Sequence, residues 1–302
     1  MAPNEITRPA SEIAEAETPS WSIAAPPEQT APVVFASPHS GRRYPADLLA
    51  ASPLDPLALR RSEDAFVDEL YAGAPKAGAP LLRSHYPRVF LDCNREPYEL
   101  DPEMFEGPLP AYANSRSPRV AAGLGTIARV IATGEEVYRR PLAVEAALER
   151  IRNHYVPYHQ ALKGLIEDTR ARFGVCLLVD CHSMPSVGGP MDADPGSRRV
   201  EIVLGNCFDS SCSPAVTAFA EAALRDLGYA VRRNVPYAGG FTTRHYGRPG
   251  EGVHALQIEI NRALYMDERR IARLPSFAET AERIGRLVSA LAGMDRALFS
   301  AR

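Results

Sequence analysis

"VCLLVDCHSMP", residues 175–185, sets an apolar run against Asp180, Cys181 and His182 and then breaks at Pro185. A run this short, closed by proline, reads as a buried strand rather than a helix. Strands that are apolar throughout belong to mainly parallel sheets covered on both faces. This one ends in an acid, a thiol and an imidazole. His182 is therefore a metal ligand, a catalytic base, or the polar end of an ordinary strand. Successive strand residues point to opposite faces, so Cys181 and His182 do not make a thiol–imidazole pair.

The same alternation extends outward. "VVFAS" (33–37) reads as a buried strand, and "SEDAFVDELYAGAPKAG" (62–78) as a helix capped by Ser62 with acids in its first turn. "APLLRSHYPRVFLDCNR" (79–95) supplies one or two strands. Residues 142–172 carry apolar positions at helical spacing, with Pro157 expected to kink or divide them. "VEIVLGN", "YAVRRNVP" and "HALQIEINR" read as further strands. "PAVTAFAEAALRDLG", ending at Gly228, and "SFAETAERIGRLVSALAGM" read as helices. Strands alternating with helices predict an α/β fold with a mainly parallel sheet between two helical layers. Residues 1–30, rich in Pro, Ala, Glu and Thr, read as a flexible leader, with Trp21 docked on the body. Residues 31–302 form a single domain.

The 302 residues are 45% hydrophobic and 24% charged, enough for a core that can desolvate a site. A formal net charge of -3 provides no pull toward nucleic acid or an anionic membrane. No stretch approaches the roughly 20 apolar residues needed to span a bilayer. The start lacks the apolar core of a secretory signal, and five cysteines without CxxC suit a reduced cytoplasmic protein.

Ligands of open α/β sheets bind beyond the carboxyl ends of the strands. Three strands here end in His39, His182 and Glu259. A hydrolytic zinc site needs His, His and a carboxylate, an open position, and a further carboxylate to take a proton from water. Asp64, or Glu63 as the alternative, completes the ligand set from the first turn after His39. One histidine at a strand end is ordinarily a hydrogen-bonded structural residue; two, each followed by serine, put the ligand reading level with it. His85, His154 and His159 read as structural, whereas His245 and His254 could face the site. Asp180 either orients an imidazole or ends a strand. Arg88, Asn94, Arg95, Thr243, Arg244 and Arg262 cluster at turns in the pattern that clamps a small dicarboxylate. Gly239 and Gly240 either admit a ligand close to the backbone or make a turn.

"PHSG…YP", "EDAFVDELY", "RVFLDCNRE", "DCHSMP", "NVPYAGGFTTRHYG" and "ALQIEINRALYM" together resemble the N-formylglutamate amidohydrolase family, over about residues 32–290. That family is related to zinc carboxypeptidases and N-acyl amino acid deacylases. The resemblance implies a three-layer α/β/α sandwich around a mixed sheet, of phosphorylase/hydrolase-like type. It also implies zinc-dependent hydrolysis of an N-acyl amino acid, best known for N-formyl-L-glutamate late in histidine breakdown. It places metal ligands at His39, the acid of "SEDAF" and His182, substrate contacts at Asn94–Arg95, and the base at Glu259. Gln257 ahead of the late motif is a departure that leaves the choice of base between Glu259 and another acid. Two other readings share these residues: a related deacylase, carboxypeptidase or cell-wall amidase, and a non-catalytic module that holds a carboxylate.

Overall fold

A computed structural model describes residues 19–300. The strands of the main sheet are β1 (Trp21–Ala24), β2 (Val33–Ser37), β3 (Leu81–Ser84), β4 (Cys176–Met184), β5 (Ile202–Gly205), β6 (Val231–Arg233) and β7 (Val253–Asn261). They form one sheet in the order β1-β3-β2-β4-β7-β5-β6. The pairings β3–β2, β2–β4, β4–β7 and β5–β6 are parallel, and β1–β3 and β5–β7 are antiparallel. This is the mixed, mainly parallel sheet of an α/β fold.

The two-residue period of the strands sorts their side chains into two cores. Val33, Phe35, Leu177, Val179, Cys181, Leu256, Ile258 and Ile260 pack under α1 (Val67–Leu70), α3 (Pro214–Asp226) and α4 (Phe277–Ala292). Val34, Ala36, Leu178, Val253 and Ala255 pack under α2 (Val156–Phe173) and the chain from Val89 to Tyr138. Each fully buried aliphatic side chain contributes roughly 1.5–3 kcal/mol. The central strands β4 and β7 are buried along their whole length, which is why both read as apolar runs.

Four local expectations change. The leader does not extend to residue 30: Trp21–Ala24 pairs with β3 as an edge strand. Residues 1–18 of the expected leader lie outside the described residues. The helix expected over 62–78 is reduced to α1 and a 3-10 turn at Pro75–Ala77. Phe66 takes a left-handed φ of 66°, and the Ser62 hydroxyl accepts from Ala132 N instead of capping a helix. Only Leu81–Ser84 of the segment 79–95 is a strand, because the polar side chains that follow turn into the site. The long helix continues past Pro157, since a π-turn over Ile151–Tyr155 lies just ahead of the residue that lacks an N–H. Among the described residues no helix is long and apolar enough to cross a membrane.

Candidate metal centre and substrate cleft

The site assembles at the carboxyl ends of β2, β4 and β7. In the β4–β7 register Asp180 lies beside Gln257, and His182 beside Glu259. Strand alternation turns all four toward the α2 side, while Cys181 points into the opposite core. That disposes of Cys181 as a partner for His182. His39 follows β2. Its carbonyl accepts from Asp64 N at 3.0 Å, which fixes the turn that the expected helix would have occupied.

His39, Asp64 and His182 are 1%, 2% and 3% exposed. Their ligand atoms lie within 4.8 Å of one another. His182 Nδ1 is 2.9 Å from Asp64 Oδ2, and His39 Nδ1 is 3.3 Å from the same oxygen. His39 Nδ1 is buried and has no hydrogen-bond partner. The opposite edge of each ring is backed by an acid: His39 Nε2 lies 2.7 Å from Asp92 Oδ1, and His182 Nε2 lies 2.9 Å from Asp180 Oδ1. Carboxylates behind ligating imidazoles fix the tautomer that leaves the other nitrogen as a donor to metal. Two nitrogens and one oxygen converging in a buried pocket suit a divalent metal cation. Glu63 is turned away, held by Tyr44 Oη at 2.7 Å and Arg60 Nε at 3.0 Å. Of the two acids considered for the set, Asp64 is the one at the centre.

The electrostatics point the same way. Burial would raise the Asp64 carboxyl, but the His182 and His39 imidazoles beside it outweigh that and hold Asp64 well below the usual carboxylate range. Burial would lower His182, but Asp180 and Asp64 hold it well above its ordinary value. Positive charge is strongly favoured at this point. Glu259 behaves oppositely: burial, aided by Asp64 and Asp180, raises it to about 7, against the pull of His182 and Arg88. A carboxyl poised near neutrality beside the ligands is suited to accept and return a proton. Gln257 Nε2 donates to Glu259 Oε1 at 2.8 Å and holds it in place.

Asp180 orients an imidazole; it is not simply a polar strand end. Asn94 Nδ2 donates to its other oxygen at 3.3 Å, and Thr243 Oγ1 lies 3.4 Å from that oxygen. Replacing Asp180 with Asn keeps the shape and removes the charge behind His182. We expect metal affinity, read by chelator competition, to weaken by about 10–100-fold. Unchanged affinity would mean that Asp180 has no such role.

The family model for N-formylglutamate amidohydrolase matches residues 31–266. The chain belongs to the N-formylglutamate amidohydrolase family. It is an amide-cleaving hydrolase. The N-formylglutamate deformylase of Pseudomonas aeruginosa is 31% identical over 243 residues, covering 79% of this chain and 83% of that protein. The N-formylglutamate deformylase of Pseudomonas putida is 26% identical over 241 residues, covering 78% and 82%. The crystal structure of N-formylglutamate amidohydrolase from Ralstonia eutropha JMP134 superposes with a TM-score of 0.84 at 34% identity, covering 91% of this chain and 98% of that one.

Within this family frame the residues expected on substrate divide into two groups. Arg262 donates from Nη2 to Asp64 Oδ1 at 3.0 Å, leaving Oδ2 to face the histidines. Thr243 faces Asp180 and Gln257. Asn94 donates to Asp180 and accepts from Thr242 N at 2.8 Å, with its amide packed 3.0 Å from His182 Nε2. Arg95 spends Nε and Nη1 on the carbonyls of Leu124 and Asn94. These four build the framework. Arg88, gripping Asp92 Oδ2 through Nε and Nη2, and the exposed Arg244 still have donors to offer.

Gly240 belongs to the framework as well. A Cβ there would meet the Asn94 side chain at 2.4 Å, so the paired glycines serve a close backbone approach to Asn94. His254 faces Ser213 and Phe299 in the opposite core, away from the site. His245 stacks on Phe241 and lines a cavity with Asn94. The sequence patterns do not mark Asp92 as a site residue. A signal for it exists, since it shares "RVFLDCNR" with Arg88 and Asn94.

Proposed function

We propose that this chain hydrolyses the amide of an N-acyl amino acid, first of all N-formyl-L-glutamate, to formate and L-glutamate, with zinc as its metal. The observation that carries the reading is the convergence of His39 Nδ1, His182 Nδ1 and Asp64 Oδ2 beside a Glu259 raised to about 7. The names of the relatives support the substrate. The resemblance places such a step late in histidine breakdown.

His39, Asp64 and His182 would hold the zinc, which when bound supplies Lewis acidity to water and to the acyl carbonyl. Glu259 accepts the proton of the attacking water and delivers it to the departing amine. Burial keeps that proton from being lost to solvent. Arg88 is oriented by Asp92 and donates to the developing oxyanion, a role for which Arg95 is poorly placed because its donors already face backbone carbonyls. Arg262 holds the ligand carboxylate.

The test is a panel of N-formyl and N-acetyl amino acids, assayed with and without a chelator. N-Formyl-L-glutamate should be turned over, chelation should abolish turnover, and about one equivalent of zinc per chain should restore it. Binding of the panel without release of any acid would leave the carboxylate-binding module as the reading.

A further inference from the structure

We propose that Gln257 is a positioning residue for Glu259: clamped by the Gly240 amide, it commits carboxylate Oε1 and leaves Oε2 as the oxygen that exchanges the proton. The inference rests on the amidohydrolase reading above, in which Glu259 is the base.

Gln257 and Glu259 lie two residues apart on β7 and share one face of the sheet. They are 4% and 6% exposed. On the neighbouring strand Asp180 stands beside Gln257, and His182 beside Glu259. Each strand thus supports its last functional side chain from one period back. Asp180 does so for His182 with a charge, and Gln257 does so for Glu259 with a neutral amide.

The orientation of that amide is decided at its other end. Gly240 N lies 2.7 Å from Gln257 Oε1, and a backbone N–H can only donate. The oxygen must face Gly240, so Nε2 is left to donate to Glu259 Oε1 at 2.8 Å. Gly240 is itself held in place. Thr242 N donates to Asn94 Oδ1 at 2.8 Å, and a Cβ on Gly240 would collide with the Asn94 side chain. The buried Thr243 sets its hydroxyl 3.5 Å from Gln257 Oε1 and 3.4 Å from Asp180 Oδ2. Residues 240–243 therefore fix the base and the acid behind His182 in one frame.

The two oxygens of Glu259 are consequently unequal. Among the described residues Oε2 accepts no hydrogen bond. A proton on Oε1 would set an O–H against the Gln257 N–H, donor against donor, in a buried site. A proton on Oε2 leaves Oε1 as a carbonyl oxygen that still accepts. The Gln257 bond then persists while Oε2 takes the proton from water and returns it to the departing nitrogen. A cationic donor in place of the amide would hold the carboxyl ionised and oppose that uptake.

A double-mutant cycle on N-formyl-L-glutamate hydrolysis by the zinc-loaded enzyme tests this. Gln257→Met keeps the side-chain volume and removes both bonds. Gln257→Asn stays polar but is too short to span Gly240 and Glu259, and it carries the test if the apolar variant does not fold. Each should lower kcat by about 10–100-fold, the cost of a displaced reacting group, with KM changed by less than about threefold and zinc retained. On the Glu259→Gln background the same substitutions should cost less than about twofold of the residual kcat, because the base they position is gone. A purely structural role would lower both backgrounds alike. Equal losses on the two backgrounds, a loss confined to KM, departure of the zinc, or unchanged kcat would each overturn the positioning role and leave the amidohydrolase intact. A wild type that released no formate would overturn the amidohydrolase reading, and this inference with it.

Discussion

His182→Ala is expected to abolish both metal binding and amide hydrolysis while leaving the chain folded. Three ligand atoms converge at the centre, and His182 Nδ1 is the one closest to Asp64 Oδ2, at 2.9 Å. Alanine also strands the two acids that flank the ring, so the negative charge of Asp64 and Asp180 is left without its bridging imidazole. Two groups remain to hold the metal, too few for a structured tetrahedral site. The fold should survive, because Asp64 keeps Arg262 and Asp180 keeps Asn94. The cost of the lost hydrogen bonds, about 1–3 kcal/mol, is small against the stability of a domain this size. Metal analysis, circular dichroism and turnover of N-formyl-L-glutamate check the three parts. Full activity, or a full complement of zinc, would sink the metal assignment.

Glu259→Gln should keep the metal and lose turnover by roughly two to four orders of magnitude, the usual worth of a positioned general base. The substitution is nearly isosteric, and its carbonyl oxygen can still accept from Gln257 Nε2. Only the capacity to take a proton disappears. The pH profile provides a second readout. A general base acts in its deprotonated form, and Glu259 is raised to about 7 by burial and by Asp64 and Asp180. Wild-type kcat/KM should therefore fall by about tenfold per pH unit below that pKa and level off above it. A cation beside Glu259 favours the ionised form and moves this limb toward lower pH. In the glutamine variant the limb should vanish. A variant that retained wild-type turnover would transfer the base to another acid.

These two residues are legible in the sequence because each ends an apolar run. A strand buried on both faces has no reason to finish in His182 or Glu259 unless they point into something. The same logic exposes His39. It does not choose between Glu63 and Asp64, which are adjacent in sequence and both compatible with a helical first turn. The choice comes from the chain path: Asp64 N bonds to His39 O, Phe66 turns left-handed, and the carboxylate swings inward while Glu63 pairs with Arg60. The arginines mislead for a related reason. Clustering at turns marks Arg88, Arg95, Arg244 and Arg262 alike as anion binders, but Arg262 grips the Asp64 carboxylate and Arg95 braces a loop. Which donors are already spent is a three-dimensional fact.

By itself the sequence determined the alternating α/β architecture, the strand-end location of the site, two histidines, a late glutamate and the family. Those features depend on local period and on motifs read along the chain. Tertiary structure decided which acid stands between the two histidines, the carboxylates behind each imidazole, the edge strand at Trp21–Ala24 and which arginines keep donors unspent. These depend on contacts between segments far apart in sequence, such as Asp64 with Arg262 and His39 with Asp92. No periodicity encodes a pairing across that distance.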